Sequence, residues 1–70
     1  MSNALREFRN QQGWSLDEMS GLTGLSKAYL SLIERHLREP SPTNKVRIAR
    51  GLGASVAELF PPTERAAANA

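Results

Sequence analysis

Six cationic side chains fall within residues 27–50: Lys27, Arg35, Arg38, Lys45, Arg47 and Arg50. Only Glu34 and Glu39 oppose them there, so about a third of the chain carries a balance of +4. The rest holds Arg6, Arg9 and Arg65 against Glu7, Asp17, Glu18, Glu58 and Glu64, a balance of −2. Ammonium and guanidinium groups donate to anionic oxygens, and a cluster of them suits a polyanion. A solvated basic helix face would have the same composition. Either way the chemistry is that of binding. The chain has one histidine, His36, and no cysteine. That excludes a disulfide framework, a thiolate or multi-histidine metal site, and a nucleophile–base–orienter set. Gly21-Leu22-Thr23-Gly24 reads as a helix end and turn, not as a loop that cradles phosphate. No enzymatic activity, metal or cofactor is expected.

The elements that carry these residues fit one small domain. The chain has 70 residues and a net charge of +2. No apolar run is long enough for a membrane span, and Met1 is followed by no basic-then-apolar leader. A cytoplasmic chain is the expectation. Met1 to Asn3 read as an unstructured start, and Ser2-Asn3-Ala4 resembles a tag remnant. Pro61-Pro62 stops any helix, and residues 63–70 contain no large apolar side chain. The folded unit is expected over 3–60, with a flexible tail over 61–70.

Inside that unit the punctuation is helical. Ala4 to Gln12 set Leu5, Phe8 and Gln12 on one side, and Gly13 is a natural stop. Ser15-Leu16-Asp17-Glu18 is a capping box: the Ser15 hydroxyl accepts from the Glu18 N–H, and Glu18 reaches back to the Ser15 N–H. That second helix should run to about Leu22. Ser26 is an N-cap for a third, Lys27 to about Arg35, anchored by Leu30 and Ile33. His36 to Pro40 form a basic loop. Ser41-Pro42 opens a fourth helix with Val46, Ala49 and Leu52 at helical spacing, ending at Gly53. Ser55-Val56-Ala57-Glu58 is a second capping box, before Leu59 and Phe60. The expected fold class is all-α, five short helices.

The second and third helices and the turn between them form the one specific constellation. Ser20 is small enough for a close crossing, Gly24 permits a sharp bend, and Leu25 plugs the turn into the core. Lys27, Ala28, Ser31 and Leu32 are left facing outward. This is a helix-turn-helix, with a second helix sized for the major groove of a duplex. From Leu5 to Phe60 the sequence resembles the Xre/Cro-type, lambda-repressor-like DNA-binding family. The resemblance rests on Leu5, Phe8-Arg9, Gly13, Ser15, Glu18-Met19, Thr23-Gly24-Leu25-Ser26, Tyr29-Leu30-Ser31, Ile33-Glu34-Arg35, Pro40-Ser41, Ile48-Ala49, Leu52-Gly53 and Leu59-Phe60. It implies a compact five-helix domain that binds double-stranded DNA and regulates transcription, commonly as a repressor and as a homodimer on a palindromic operator. Three positions depart from the family pattern. Leu16 replaces a common glutamine that contacts phosphate, His36 stands where many members have glycine, and Lys45 sits at an often apolar position.

The resemblance assigns roles. Lys27 can reach guanine or a phosphate, Ala28 and Leu32 can touch thymine methyls, and Ser31 can meet a base or phosphate. Leu32 is read as exposed, so a partner contact or a plain surface residue stays open for it. Tyr29, Arg35, His36 and Arg38 are expected along the sugar-phosphate backbone, or, for Tyr29, in structural support alone. Thr43, Asn44 and Lys45 lie at the N-terminal turn of the fourth helix. There free N–H groups, the helix dipole and Lys45 can jointly hold a phosphate. Arg47 and Arg50 are read as solvated or dimer-face residues. Arg9 and Glu34 match a family ion pair that joins the first helix to the third. Trp14 is read as a residue at the edge of the core.

A second function stays open on the same fold: a protein-interaction module of the antitoxin or anti-regulator kind. Leu22, Leu32, Leu37 and Phe60 would be its apolar anchors.

Overall fold

A computed structural model describes residues 3–61. Five helices follow in order: α1 (Leu5–Gln12), α2 (Leu16–Thr23), α3 (Lys27–Glu34), α4 (Pro42–Leu52) and α5 (Val56–Leu59). Among the described residues there is no strand. The local signals of the sequence translate into caps. Ser15 and Ser55 each accept from the N–H three residues on, while Glu18 and Glu58 return a carboxylate to the cap N–H. Ser26 and Ser41 cap α3 and α4 through their hydroxyls. Each such cap is worth roughly 1 kcal/mol.

Three helices end in one motif. After α1, the Gly13 N–H reaches the Asn10 carbonyl and the Trp14 N–H reaches that of Arg9. After α4, Gly53 and Ala54 repeat this with Arg50 and Ala49. After α3, His36 and Leu37 repeat it with Ile33 and Leu32. The pattern needs a left-handed residue at the turn. His36 supplies it at φ 61°, where the other two ends use glycine. The departure at this position therefore leaves the turn intact but strains it.

The core is Leu5, Met19, Leu30, Ile33, Ile48, Ala49, Leu52 and Leu59. α2 packs on α3 and α4, α4 on α5, and α1 on α3. One expectation fails here. The helical spacing of Val46, Ala49 and Leu52 puts them on one apolar face of α4, yet Val46 is 46% exposed. The real stripe is Lys45, Ile48, Ala49 and Leu52, spaced i, i+3, i+4, i+7. Its first position is held by the stem of Lys45, whose ammonium lies 5.5 Å from the Phe60 ring centroid. A lysine stem can cover apolar surface while its charge stays wet, and a count of apolar residues misses it. Phe60 is correspondingly packed against the core and is no exposed anchor.

The α2–α4 crossing depends on Gly51. A Cβ there would run into the Leu22 carbonyl oxygen, with the Leu22 carbonyl carbon and Thr23 Cα each 3.0 Å away. Nothing in the apolar pattern marked this glycine. The start of the chain is also more fixed than expected at Asn3. Its side-chain oxygen accepts from the Leu5 N–H, its amide nitrogen donates to the Ile33 carbonyl at 3.1 Å, and the Ala4 N–H bonds the Leu59 carbonyl. Asn3, the residue before the N-cap Ala4, thus satisfies the first N–H of α1 and also touches the end of α3. Met1, Ser2 and the expected tail from residue 62 onward lie outside the described residues.

Candidate nucleic-acid interface

α2, the turn and α3 hold their angle through polar stitches at the bend. The Ser20 hydroxyl donates to the Leu25 carbonyl at 2.6 Å. The buried Thr23 hydroxyl donates to the Met19 carbonyl and accepts from the Leu25 N–H. Gly24 takes the left-handed conformation at φ 76°, which a side chain would strain. Ser20 therefore does more than keep the crossing small, and Thr23 is a functional residue of the turn that sequence reasoning passed over. A threonine within hydroxyl reach of the turn backbone was the available signal.

The far end of α3 is tied to α1. Arg9 Nε donates to Glu34 Oε2 at 2.7 Å and Nη2 to Oε1 at 3.1 Å, a two-point contact. Arg9 Nη1 also donates to the Trp14 carbonyl at 3.0 Å. The two side chains retain 15% and 5% exposure. The hydrogen bond to Glu34 raises the Arg9 guanidinium above its ordinary pKa, outweighing burial. A raised pKa on a cation contributes stability at every pH below the ordinary arginine value. It is lost only as pH climbs through the folded one. Trp14 packs its ring edge-on to Phe8, centroids 6.0 Å apart, at the edge of the core.

On α3 itself Lys27 and Ala28 are exposed and Ser31 and Leu32 half-buried, while Arg35, just past its end, is exposed. The expectation of an exposed Leu32 is corrected by a cleft of about 400 Å³ that it lines with Leu16, Lys27, Ala28, Ser31 and Arg35. Leu16 of α2 closes that cleft from the side. Lys27 Nζ stands 3.4 Å from the Asp17 carboxylate, both well exposed, so this pair is weak and easily exchanged.

Three of the residues expected along a phosphate backbone form one unit. Asn44 Nδ2 donates to the Tyr29 hydroxyl at 3.0 Å, and the Arg38 guanidinium lies 5.8 Å from the Tyr29 ring centroid. This joins α3 to the first turn of α4, where Thr43 is exposed. The free donors of that turn are fewer than expected. Pro42 has no N–H, Asn44 donates to the Ser41 hydroxyl, and Lys45 donates to the Ser41 carbonyl. The Thr43 N–H is the one left open among the described residues. Lys45 is likewise engaged: its ammonium sits 2.7 Å from Glu39 Oε2. A phosphate would have to displace that carboxylate, so Lys45 does not belong to the ready cation set. His36 is exposed, and its Nδ1 lies 3.4 Å from Asn3 Nδ2. Its first duty is the left-handed stop of α3. Exposed Arg35 and Arg38 continue the cationic edge beyond it.

A second shallow cleft lies between α2 and α4, lined by Leu22, Thr43, Val46, Arg47, Arg50 and Gly51. No helix among the described residues is long and apolar enough to cross a membrane.

Residues 5–59 match the family model HTH_3, described as helix-turn-helix. The chain is 36% identical over 66 residues to the HTH-type transcriptional regulator SutR of Escherichia coli, covering 94% of this chain and 37% of that one. A solved HTH_3 family transcriptional regulator from Vibrio cholerae superposes with a TM-score of 0.76 at 43% identity, over 80% of this chain and 32% of that one. The restriction-modification controller protein C.AhdI from Aeromonas hydrophila gives a TM-score of 0.75 at 36% identity, over 80% of this chain and 85% of that one. The chain thus spans little more than a third of SutR and most of C.AhdI.

Proposed function

The chain belongs to the helix-turn-helix family HTH_3, and from that membership we propose that it binds double-stranded DNA and regulates transcription, with α3 in the major groove. The observation that carries this reading is the cationic rim of α3. Exposed Lys27 opens α3 and exposed Arg35 and Arg38 follow its C-terminal end, on a helix whose two ends are pinned by the turn stitches and by Arg9–Glu34. Lys27, Ala28, Ser31 and Leu32 are the base-reading set. Tyr29, Arg35, Arg38, Thr43 and Asn44 serve the phosphates, with His36 beside them. One helix reads only a few base pairs, so a homodimer on a palindromic operator is the form that finds one site in a genome. Repression in the cytoplasm fits such a reader, which would act by occupying its site.

Anisotropy titration of duplexes recovered from a random library tests this. Arg35 and Arg38, with Lys27, neutralise about two to three phosphates per protomer, which gives a slope of log affinity against log salt near −2 to −3 per protomer. Lys27→Ala should relax base preference, while Arg38→Ala should weaken all duplexes alike. Binding that ignores salt, or none at low salt, refutes the reading.

The Leu22–Val46 cleft favours a second, compatible role as a protein-contact face. The two side chains are 45% and 46% exposed, and Arg47 and Arg50 rim them. A stoichiometric partner that stays bound at high salt and is lost with Val46→Asp would support it.

A further inference from the structure

The outward side of α3 offers a narrow polar code. Its hydrogen-bonding groups are the Lys27 ammonium, the Ser31 hydroxyl and the Arg35 guanidinium. The side chains that make two-point contacts with adenine, Asn and Gln, are missing from α3. Its one carboxylate, Glu34, is buried and turned onto Arg9. Cytosine's amino group therefore finds no carboxylate on this helix.

Apart from Ser31, what lines the cleft with the two cations is apolar and comes from two helices. Leu16 of α2 and Leu32 of α3 are half-buried, and exposed Ala28 lines the same cleft. Leu16 is packed against the core, so its side chain is a fixed wall, not a mobile surface group. Lys27 and Arg35 are eight residues apart on α3, about 12 Å of helix rise, and bracket that wall. Along the major-groove edge of a duplex the one apolar group is the C5-methyl of a pyrimidine. The cationic rim fits the acceptors and phosphates around it.

We propose that Leu16 and Leu32 form a receptor for pyrimidine C5-methyl groups, so that the chain separates thymine from uracil, and 5-methylcytosine from cytosine, at the bases facing the cleft. This rests on the duplex-binding reading above. It makes Leu16, a residue of the first helix of the motif, a specificity determinant.

The test uses the tightest duplex recovered from the random library. Each thymine is replaced singly by uracil, which removes the methyl and leaves the pairing edge unchanged. At one or two positions per half-site the affinity should fall about fourfold, the worth of one buried carbon. Where such a thymine is replaced by cytosine, 5-methylation of that cytosine should recover a similar factor. Leu32→Ala and Leu16→Ala should abolish the thymine–uracil difference at the same positions. Uracil duplexes that all bind like the parent overturn the proposal, and so do leucine variants that weaken thymine and uracil duplexes equally. The uracil series needs no protein variant, so a misfolded leucine mutant does not decide it. Failure to bind any duplex at low salt would instead remove the DNA-binding reading on which the proposal stands.

Discussion

Gly51 and Gly21 are both helix-interior glycines, and the same substitution should move them in opposite directions. An alanine at 51 drives its methyl into the Leu22 carbonyl oxygen and brings it within 3.0 Å of two further backbone atoms of α2. Ordinary van der Waals contact for a Cβ lies at 3.4–4 Å, so the two atoms at 3.0 Å alone ask α2 and α4 to separate by several tenths of an ångström, and the Leu22 carbonyl oxygen asks for more. The obstacle is backbone, which cannot swing aside as a side chain can. Overpacking of this kind costs about 1–3 kcal/mol, and the upper half applies here. Alanine returns about 1 kcal/mol in helix propensity. Gly51→Ala should therefore destabilise by about 1–2 kcal/mol, lowering Tm by roughly 5–15 °C for a domain of this size. At Gly21 a Cβ meets nothing within 4 Å. Gly21→Ala should gain about 0.5–1 kcal/mol and raise Tm by a few degrees. Thermal and urea unfolding followed by far-UV circular dichroism on the two variants and the parent measures both. If Gly51→Ala stabilises as much as Gly21→Ala, the close crossing of α2 and α4 is wrong.

Glu34→Ala leaves Arg9 half-buried without its carboxylate and should cost on the order of 3 kcal/mol, read as a shift in urea midpoint at constant slope. An unchanged midpoint would remove the pair from the account of α3. His36→Gly relieves a left-handed side chain, worth about 1–2 kcal/mol, against about 0.4–1 kcal/mol of added unfolded-chain entropy. The variant should be as stable as the parent or up to about 1 kcal/mol more so, and a clear loss of Tm would show that the imidazole itself holds the turn. Lys45→Met keeps the stem over Phe60 and drops the ammonium from Glu39. Stability should change by less than about 1 kcal/mol, and duplex affinity should change far less than in Arg38→Ala. Equal losses in the two variants would return Lys45 to the phosphate set.

Most of the fold was legible because its punctuation is local. Ser15, Ser26, Ser41 and Ser55 stand at the four caps, and a cap is decided by residues within three positions of it. The helix-turn-helix was legible for the same reason. What escaped depends on contacts between elements. Val46 looked apolar and was exposed, while the stem of Lys45 took its place. Gly51 carries no propensity signal for a crossing; only the approach of α2 gives it one. Asn3 was read with the chain start because its bond to the first N–H of α1 cannot be told from a polar terminus until Ile33 is seen beside it. At the site, the residue types of the cation set were readable, but their engagement was not. Glu39 on Lys45 and Asp17 on Lys27 are pairings that spacing does not announce.

The same contacts between elements explain how a domain of five short helices can present one helix rigidly. α3 is met at its start by the Ser20–Leu25 bond, in its middle by Tyr29–Asn44, and at its end by both Arg9–Glu34 and Asn3–Ile33. Together the ties reach α2, α4 and α1 with its leading residue Asn3, so no single helix can tilt α3 without straining the others. Ordering a reading helix before it meets its ligand removes that cost from binding. The ties therefore act on affinity without touching a base. Loosening one, as in Ser20→Ala, which removes the hydroxyl bonded to the Leu25 carbonyl, should lower affinity for every duplex by a similar factor while leaving the preferred sequence unchanged. A change at the cleft, as in Leu32→Ala, should shift the preferred sequence instead. Selection from the random library with each variant separates the two effects, because a tie that altered which bases are chosen would be a contact and not a support.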